Sequence, residues 1–527
     1  MLGKMDGCAG WEWHCFEYTR RRGEAGSAAY IMPTRGAGIL ADTRGDRRCA
    51  EAAGVGEDSV RWPCETQDNE RVSRRTNHLK ANAAAPIATL IRPFQRFAAL
   101  EAGGGILLLL CSLAALWWAN SQWAPLYIAL WHTPATITVG SFTLGRDLHF
   151  LVNDGLMAVF FFVVGLEIKR ELLVGELASF KQASLPIVGA IGGVIVPALI
   201  YTSLNGNGAG ARGWGVPMAT DIAFVIGFMA LLGERVPVGL KVFLTALAIV
   251  DDIAAVVVIA SFYTAEVSWP GVGAAAFFVA LLVLASRLGV RHPLPYALLG
   301  IAVWLAVLQS GIHATIAGVV VALTIPSRTV LDAQQFLRQG RRILEHFEHC
   351  ADQEKGLMKD VEQQVAINAL EDTCEKAQPP LYILETSLHP WVTFVIMPVF
   401  ALANAGVVLA AGIGQTLADP VALGVAVGLF LGKPLGIGLA AWLAVVTGLA
   451  ALPAGVTWRH IHGAAWLGGI GFTMSLFVAA LAFPEEGMLA SAKVGVLLGS
   501  GLAAIVGTSV LLRSGSGGGE GSAGISD

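Results

Sequence analysis

From Ala99 to Leu512 the chain is a succession of apolar runs, each roughly 17 to 25 residues long and so able to cross a hydrocarbon core of about 30 Å as a helix. A soluble fold has no interior large enough to bury so many runs, and the placement of charge points the same way. Of the 35 Lys and Arg and 39 Asp and Glu among 527 residues, 27 lie in residues 1–96 and 18 in residues 327–387. The other 370 positions hold 29, about 8%, against roughly 25% in an average soluble domain. Most of the chain is therefore solvated by lipid.

The runs fall at about 99–119, 149–168, 184–204, 215–232, 238–263, 270–287, 293–309, 311–326, 390–412, 420–447, 459–483 and 489–512. They predict an all-α polytopic membrane protein of about twelve transmembrane helices. Between the first two, Thr133 to Phe142 alternates Thr, Ile and Val ahead of a Gly-containing turn, the pattern of a short β-hairpin on one membrane face. Basic residues gather in alternate loops: Lys80, Arg92 and Arg96, then Lys169, Arg170 and Lys181, then Arg235 and Lys241, then Arg287 and Arg291, and finally Arg459 and Arg513. The 327–387 segment adds seven more on that side, whereas the opposite loops hold Arg146 and Arg212, with Lys493 close to the membrane. Positive charge marks the cytoplasmic side, so both termini are expected there and the hairpin on the periplasmic face.

Residues 1–95 mix Arg, Glu, Gly, Ala and Ser without periodicity and lack the apolar core of a secretory signal, as expected of a disordered cytoplasmic extension. Residues 96–514 form the membrane domain and residues 515–527 a flexible tail. Within the domain, the 327–387 insertion repeats apolar residues at helical spacing (Phe336, Ile343 and Phe347, then Met358, Val361 and Val365) and predicts one or two amphipathic cytoplasmic helices. Cys8, Cys15, Cys49, Cys64, Cys111, Cys350 and Cys374 form neither a CxxC pair nor a zinc spacing and read as free thiols in a reducing cytosol. A net charge of −4 argues against nucleic acid as a partner.

A charge at the centre of a membrane helix costs roughly 2.5 to 3.5 kcal/mol on insertion scales, so those that persist need a partner or a task. Asp251 and Asp252 lie mid-way along the fifth run, Asp221 in the fourth and Lys433 in the tenth. Adjacent helical residues point about 100° apart, so the two aspartates face different neighbours. Two such carboxylates repel each other and are poorly solvated, and they are best satisfied by protons or by a hard cation. Competition for the same oxygens is the minimal device for exchanging H⁺ against Na⁺. A purely structural Asp251–Lys433 ion pair is the bland reading of that pair.

Two runs carry helix-breaking sequence. In the fourth, Gly213, Gly215 and Pro217 precede Thr220 and Asp221; in the eleventh, Gly463, Gly468, Gly469 and Gly471 precede Phe472, Thr473, Met474 and Ser475. Interrupted backbone at membrane depth is tolerated where it is buried in protein or lines a wet cavity, and two such segments far apart in one chain point to a transport site.

Several stretches resemble the NhaA family of bacterial Na⁺/H⁺ antiporters: Asn153-Asp154-Gly-Leu-Met, Gly-Leu-Glu167-Ile-Lys-Arg170-Glu171, Ala-Thr220-Asp221-Ile-Ala-Phe, Ala-Ile-Val-Asp251-Asp252, Gly-Ile-His313-Ala-Thr, Leu388-His389-Pro-Trp, Ala-Asn404-Ala-Gly, Gly-Lys433-Pro-Leu-Gly and Gly-Ile-Gly-Phe-Thr-Met-Ser. They run in order from about residue 95 to 513. The resemblance implies inverted-topology repeats whose fourth and eleventh spans are broken and cross. It implies Asp252 as the principal cation ligand, Asp251 as a titrating neighbour paired with Lys433, and Thr220 and Asp221 as polar elements of the broken fourth helix. In that family the carboxylate and the lysine offset the partial charges of half-helix ends. Glu167, Arg170, Glu171, His313 and Glu385 match positions of the cytoplasmic funnel and the pH response, and the hairpin near 133–146 matches a dimerisation segment. Around Glu385 the chain departs from the family's pattern: Tyr382 and Ile383 replace basic residues and Thr386 replaces a histidine.

The expected function is an electrogenic Na⁺(Li⁺)/H⁺ antiporter of the bacterial inner membrane, a homodimer serving sodium and pH homeostasis, and a transporter rather than an enzyme. No cofactor is expected, since no GxxxxGK nucleotide motif is present. A Na⁺-coupled symporter of an organic anion is the alternative, although no cluster of basic or aromatic residues offers such a substrate a site. An intramembrane aspartyl protease would need two aspartates from separate helices sharing one water, whereas Asp251 and Asp252 share one helix.

Overall fold

The computed structural model describes residues 103–139, 142–206, 208–264, 267–349, 361–408 and 418–514. The expectations for residues 1–95, for the tail at 515–527 and for Cys350 and Met358 of the insertion fall outside them. The chain enters through α1 (Gly103–Ala119) and α2 (Ala124–Trp131), and continues into an antiparallel hairpin of β1 (Pro134–Val139) and β2 (Phe142–Asp147), in register from Pro134 opposite Asp147 to Val139 opposite Phe142. Then follow α3 (Leu148–Val174), α4 (Phe180–Asn205), a 3₁₀ segment (Ala209–Met218) leading to α5 (Ile222–Leu232), α6 (Val238–Phe262), α7 (Trp269–Arg287), α8 (Pro293–Gln309) and α9 (Thr315–Thr324). Helices α10 (Ala333–His349) and α11 (Val361–Ala377) belong to the insertion. The remainder is α12 (Pro380–Asn404), α13 (Pro420–Val446), α14 (Trp458–Gly468), α15 (Phe472–Ala482) and α16 (Glu486–Ser514).

The described parts of the apolar runs are largely helical. Among the described residues eight helices are long and apolar enough to cross a membrane, or ten if the bent pairs α1–α2 and α14–α15, at 116° and 42°, each count as one. The eighth run is shorter than its apolar length suggests: Gly311 turns at φ +79° and Pro326 follows the helix, leaving ten residues, about 15 Å. The ninth is longer. Its helix opens at Pro380, so Glu385 lies inside α12 rather than in a loop ahead of it, and the insertion ends about eight residues before its expected boundary. Proline at the first position of a helix costs no hydrogen bond, which is why the start falls there.

Three wide π-helical turns interrupt the long helices, at Leu151–Leu156, Val392–Ile396 and Gly428–Gly432. The last two directly precede Met397-Pro398 and Lys433-Pro434. Proline donates no backbone hydrogen bond and crowds the carbonyl four residues earlier, and a widened turn absorbs both defects.

Most buried apolar residues form one cluster shared by α3, α5, α6, α12, α13, α14, α15 and α16. A second forms where α7, α8 and α9 pack beside Leu166 of α3 and Leu381 of α12. Large apolar side chains such as Leu199, Phe277 and Ile505 are turned outward, as the lipid-facing sides of such helices require. Helices α10 and α11 pack against each other, and their base is pinned where the Leu381 N–H donates to Pro326 O (3.2 Å) and the Val330 N–H to Lys376 O (3.1 Å). Phe336, Ile343 and Phe347 are half-buried as their spacing suggests. In α11 the inward face is instead Gln363, Ala366 and Thr373, with Val361 and Val365 exposed.

Candidate functional site

Two stretches of extended or turning backbone, at residues 219–221 and 469–471, lie against each other. The 3₁₀ segment ends at Met218, Ala219 and Asp221 are extended, and α5 begins at Ile222. Side chains at Gly213 and Gly215 would collide with Tyr201 and Phe483 and with Tyr263 respectively, so the segment can approach its neighbours this closely only as glycine. Opposite it, α14 ends at Gly468 and α15 begins at Phe472. Across the crossing, the Asp221 N–H donates to Ile470 O at 2.7 Å and the Ser475 hydroxyl donates to Val216 O at 2.8 Å.

Asp221 serves two helix starts at once. Its Oδ1 accepts from the backbone N–H of Ala223 (3.1 Å) and Phe224 (3.2 Å) in the first turn of α5. Its Oδ2 accepts from the Thr473 N–H (2.9 Å) and from the Thr473 hydroxyl in the first turn of α15. A helix N-terminus carries about half a positive charge, so one carboxylate faces two such ends. The Ser500 hydroxyl oxygen accepts from the N–H groups of Gly471 (3.2 Å) and Phe472 (3.1 Å), satisfying two further donors that the break leaves free.

On the other side of the crossing stand Thr220, Asp251 and Lys433. The Thr220 hydroxyl is 2.6 Å from Asp251 Oδ2 and 2.8 Å from the Gly468 carbonyl at the end of α14, and its one hydrogen can serve either. Lys433 Nζ donates to both Thr220 Oγ1 and Asp251 Oδ2. All of these side chains are buried, none more than 2% exposed. The ammonium thus approaches the negative end of α14, with Thr220 between them.

Asp251 Oδ1 is buried without a hydrogen-bond partner. Asp252, 2% exposed on the next face of α6, makes no hydrogen bond or ion pair to the described residues. Buried carboxylate oxygens without donors are costly, and a proton or a hard cation would satisfy them. No group of three or more His, Cys, Asp or Glu suited to a resident metal ion occurs among the described residues. What the site offers is two carboxylates with a hydroxyl and carbonyls nearby, a sparse oxygen set that a cation can leave as well as enter.

The remaining expected residues divide. Arg170 joins Glu171 (Nη2 to Oε1, 3.0 Å) and Glu385 (Nε to Oε1, 3.1 Å), the latter an ion pair by distance without hydrogen-bond alignment. Glu171 also accepts from the Glu176 N–H at 3.1 Å, and Glu167 is one helical turn back along α3. This cluster ties the end of α3 to α12. Lys169 beside it donates to the carbonyls of Leu323 (2.8 Å) and Ile325 (2.5 Å), closing the C-terminal end of α9. His313 does not join the cluster. Its Nε2 lies 2.7 Å from the Tyr263 carbonyl just past the C-terminal end of α6, where the Tyr263 hydroxyl donates to Arg212 O at 2.8 Å. His313 thus stands at the end of α6 away from Lys241, beside the backbone of Arg212.

Thr473 and Ser500 escaped selection from the sequence. Thr473 was visible as the hydroxyl following the broken eleventh run, whereas nothing marked Ser500. Asn153 and Asn404, which stand in the resembling stretches without a role, exchange amide hydrogen bonds (Asn404 Nδ2 to Asn153 Oδ1, 2.7 Å; Asn153 Nδ2 to Asn404 Oδ1, 3.3 Å) and join α3 to α12.

A family model described as Na⁺/H⁺ antiporter 1 matches residues 95–511. Among similar curated proteins, the Na(+)/H(+) antiporter NhaA of Koribacter versatilis is 50% identical over 434 residues, covering 82% of this chain and 94% of the relative. The protein of the same name from Oleidesulfovibrio alaskensis is 51% identical over 436 residues, 82% of this chain and 96% of the relative. That from Rhodopirellula baltica is 47% identical over 439 residues, 83% and 98%. With a match spanning the whole membrane domain and both crossing breaks inside it, the chain belongs to the NhaA family of Na⁺/H⁺ antiporters.

Proposed function

We propose that the protein is an electrogenic Na⁺(Li⁺)/H⁺ antiporter of the bacterial inner membrane. In this reading it extrudes sodium against entering protons to maintain cytoplasmic sodium and pH. Asp252 is the principal cation ligand and Asp251 the second. Thr220 and Asp221 shape the crossing, and Lys433 holds Asp251 whenever that carboxylate has neither a proton nor the cation. In the cytoplasm-facing state both aspartates are deprotonated and bind Na⁺; in the outward-facing state protons displace it. With more protons entering than cations leaving, each surplus charge draws about 2.3 kcal/mol from every 100 mV of membrane potential. The observation that carries this reading is the pair of adjacent buried aspartates at the crossing, one held by Lys433 and the next without a hydrogen bond or ion pair among the described residues.

The finer organisation belongs to the same proposal: twelve crossings in inverted-topology repeats, both termini cytoplasmic, and dimerisation through the periplasmic hairpin. Glu167, Arg170, Glu171 and Glu385 act in the cytoplasmic funnel and the pH response, and His313 acts on that response from the far end. The comparisons lend the organic-anion symporter no support. The test is Na⁺-dependent collapse of a preformed ΔpH in everted vesicles without any organic solute. The parent collapses it and Asp252→Asn does not; equal transport by the two would remove Asp252 as the ligand.

A further inference from the structure

A groove of about 770 Å³ opens on the outer surface where α13 ends, α14 begins and α16 finishes, far along α13 from the hairpin end of the molecule. Its floor and walls include Leu435, Leu439 and Trp442 of α13, which are 51%, 60% and 52% exposed, together with Trp458 at 41%. At its rim are Arg459, the second residue of α14, and Arg513, the penultimate residue of α16. Among the described residues no carboxylate lines it, and Arg459 makes no ion pair or hydrogen bond.

We propose that this groove is a binding site for one anionic phospholipid, its phosphate held at the Arg459–Arg513 rim and an acyl chain laid along Leu435, Gly438 and Leu439. Three observations on different parts of the site agree. Exposed leucines on a helix whose opposite face is buried contact acyl chains, since lipid is the solvent there. Trp442 and Trp458 are amphipathic rings of the kind that settle at headgroup depth, which fixes the level of the rim. Arg459, which makes no ion pair or hydrogen bond among the described residues, and Arg513 put positive charge at the mouth of an apolar slot, the charge complement of a phosphate bearing a tail. His462, also at the rim, accepts the Trp466 indole N–H on Nε2 (3.1 Å), so a neutral ring carries its proton on Nδ1 and adds no negative character.

Gly438 gives the site its room. A Cβ built there meets no atom within 4 Å, so the space next to α13 at this position is open. Pro434, which also lines the groove, directly follows Lys433. A lipid seated here therefore presses on the helix that carries the buried ammonium and on α14, whose far end carries the Gly468 break, and it holds the two together. The orientation proposed above makes this the cytoplasmic leaflet, but binding does not depend on which leaflet supplies the lipid or on ion exchange.

The experiment is thermal unfolding of the delipidated full-length protein in detergent, titrated with phosphatidylglycerol, with phosphatidylcholine of the same chains and with inorganic phosphate. Phosphatidylglycerol is expected to raise the midpoint in a saturable way, and the other two are not. Arg459→Gln/Arg513→Gln should weaken the phosphatidylglycerol response roughly 30-fold, at about fivefold for each basic residue near a headgroup. Gly438→Leu keeps both charges and projects its side chain into the open space beside α13, so its lipid response should be lost, with its lipid-free midpoint measured alongside as the control for folding. It also remains informative if the double arginine variant fails to fold. Equal stabilisation by phosphatidylcholine, full mimicry by inorganic phosphate, or an unchanged phosphatidylglycerol response in Gly438→Leu would each overturn the proposal.

Discussion

Asp221 and Lys433 divide the crossing between them, the carboxylate at two helix starts and the ammonium near a helix end. Asp221→Ala removes the acceptor from the caps of both α5 and α15, and at about 1 kcal/mol per cap it should cost roughly 2 kcal/mol of stability. Asp221→Asn, which keeps one oxygen acceptor, should lose less, and unfolding in detergent distinguishes the two. Lys433→Ala leaves Asp251 buried without its cation, a loss expected at about 3–5 kcal/mol. Adding Asp251→Ala should recover much of it, because the orphaned charge disappears. A double-mutant cycle in which the two losses simply add would show that the pair is not coupled.

At the scale of elements, close approach is set by glycines that meet backbone. A side chain on Gly436 of α13 would run into the carbonyl of Gly192 in α4, and one on Gly471 would lie 2.8 Å from Ala219 O across the crossing. Neither neighbour can rotate away, so Gly436→Ala and Gly471→Ala should each cost about 1–3 kcal/mol, read as a lower unfolding midpoint. The hairpin hands over to α3 through Asp147, whose Oδ1 accepts from the Phe150 N–H at 2.9 Å while Oδ2 meets His132 at 3.1 Å. Partial burial pushes this carboxyl upward, but the Phe150 N–H and His132 outweigh it and hold it below its ordinary value. A carboxylate lowered in the folded state stabilises above its unfolded pKa and loses that contribution as the pH falls through the folded value. The advantage of the parent over Asp147→Asn should therefore shrink as the pH falls below about 4.

For the whole molecule, the family match begins at residue 95, and removing residues 1–90 should leave Na⁺/H⁺ exchange unchanged; lost or pH-shifted exchange would give that segment a role. The α10–α11 hairpin is pinned at its base between Pro326 and Leu381, and Glu385 follows one turn later on α12 with Arg170 as its partner. Excising residues 333–377 should therefore preserve exchange while displacing its pH profile, measured by ΔpH collapse in vesicles between acid and alkaline pH. An unmoved profile would sever the insertion from the Glu385 cluster.

Helical runs, the scarcity of charge and the four buried ionisable residues were legible in the sequence. Each depends on how single residues partition between water and lipid, or on what a local stretch permits its own backbone. The tertiary structure alone decided partners. Asp221 accepts from a backbone amide 252 positions away, Lys433 reaches a carboxylate 182 positions away, and the acceptor for Gly471 and Phe472 is an unremarked serine on α16. It also separated His313 from the residues it was expected to join and moved Glu385 inside a helix. Such pairings follow from which helices pack against one another and at what height. Those contacts exist only once the whole bundle has closed, so no local stretch of sequence contains them.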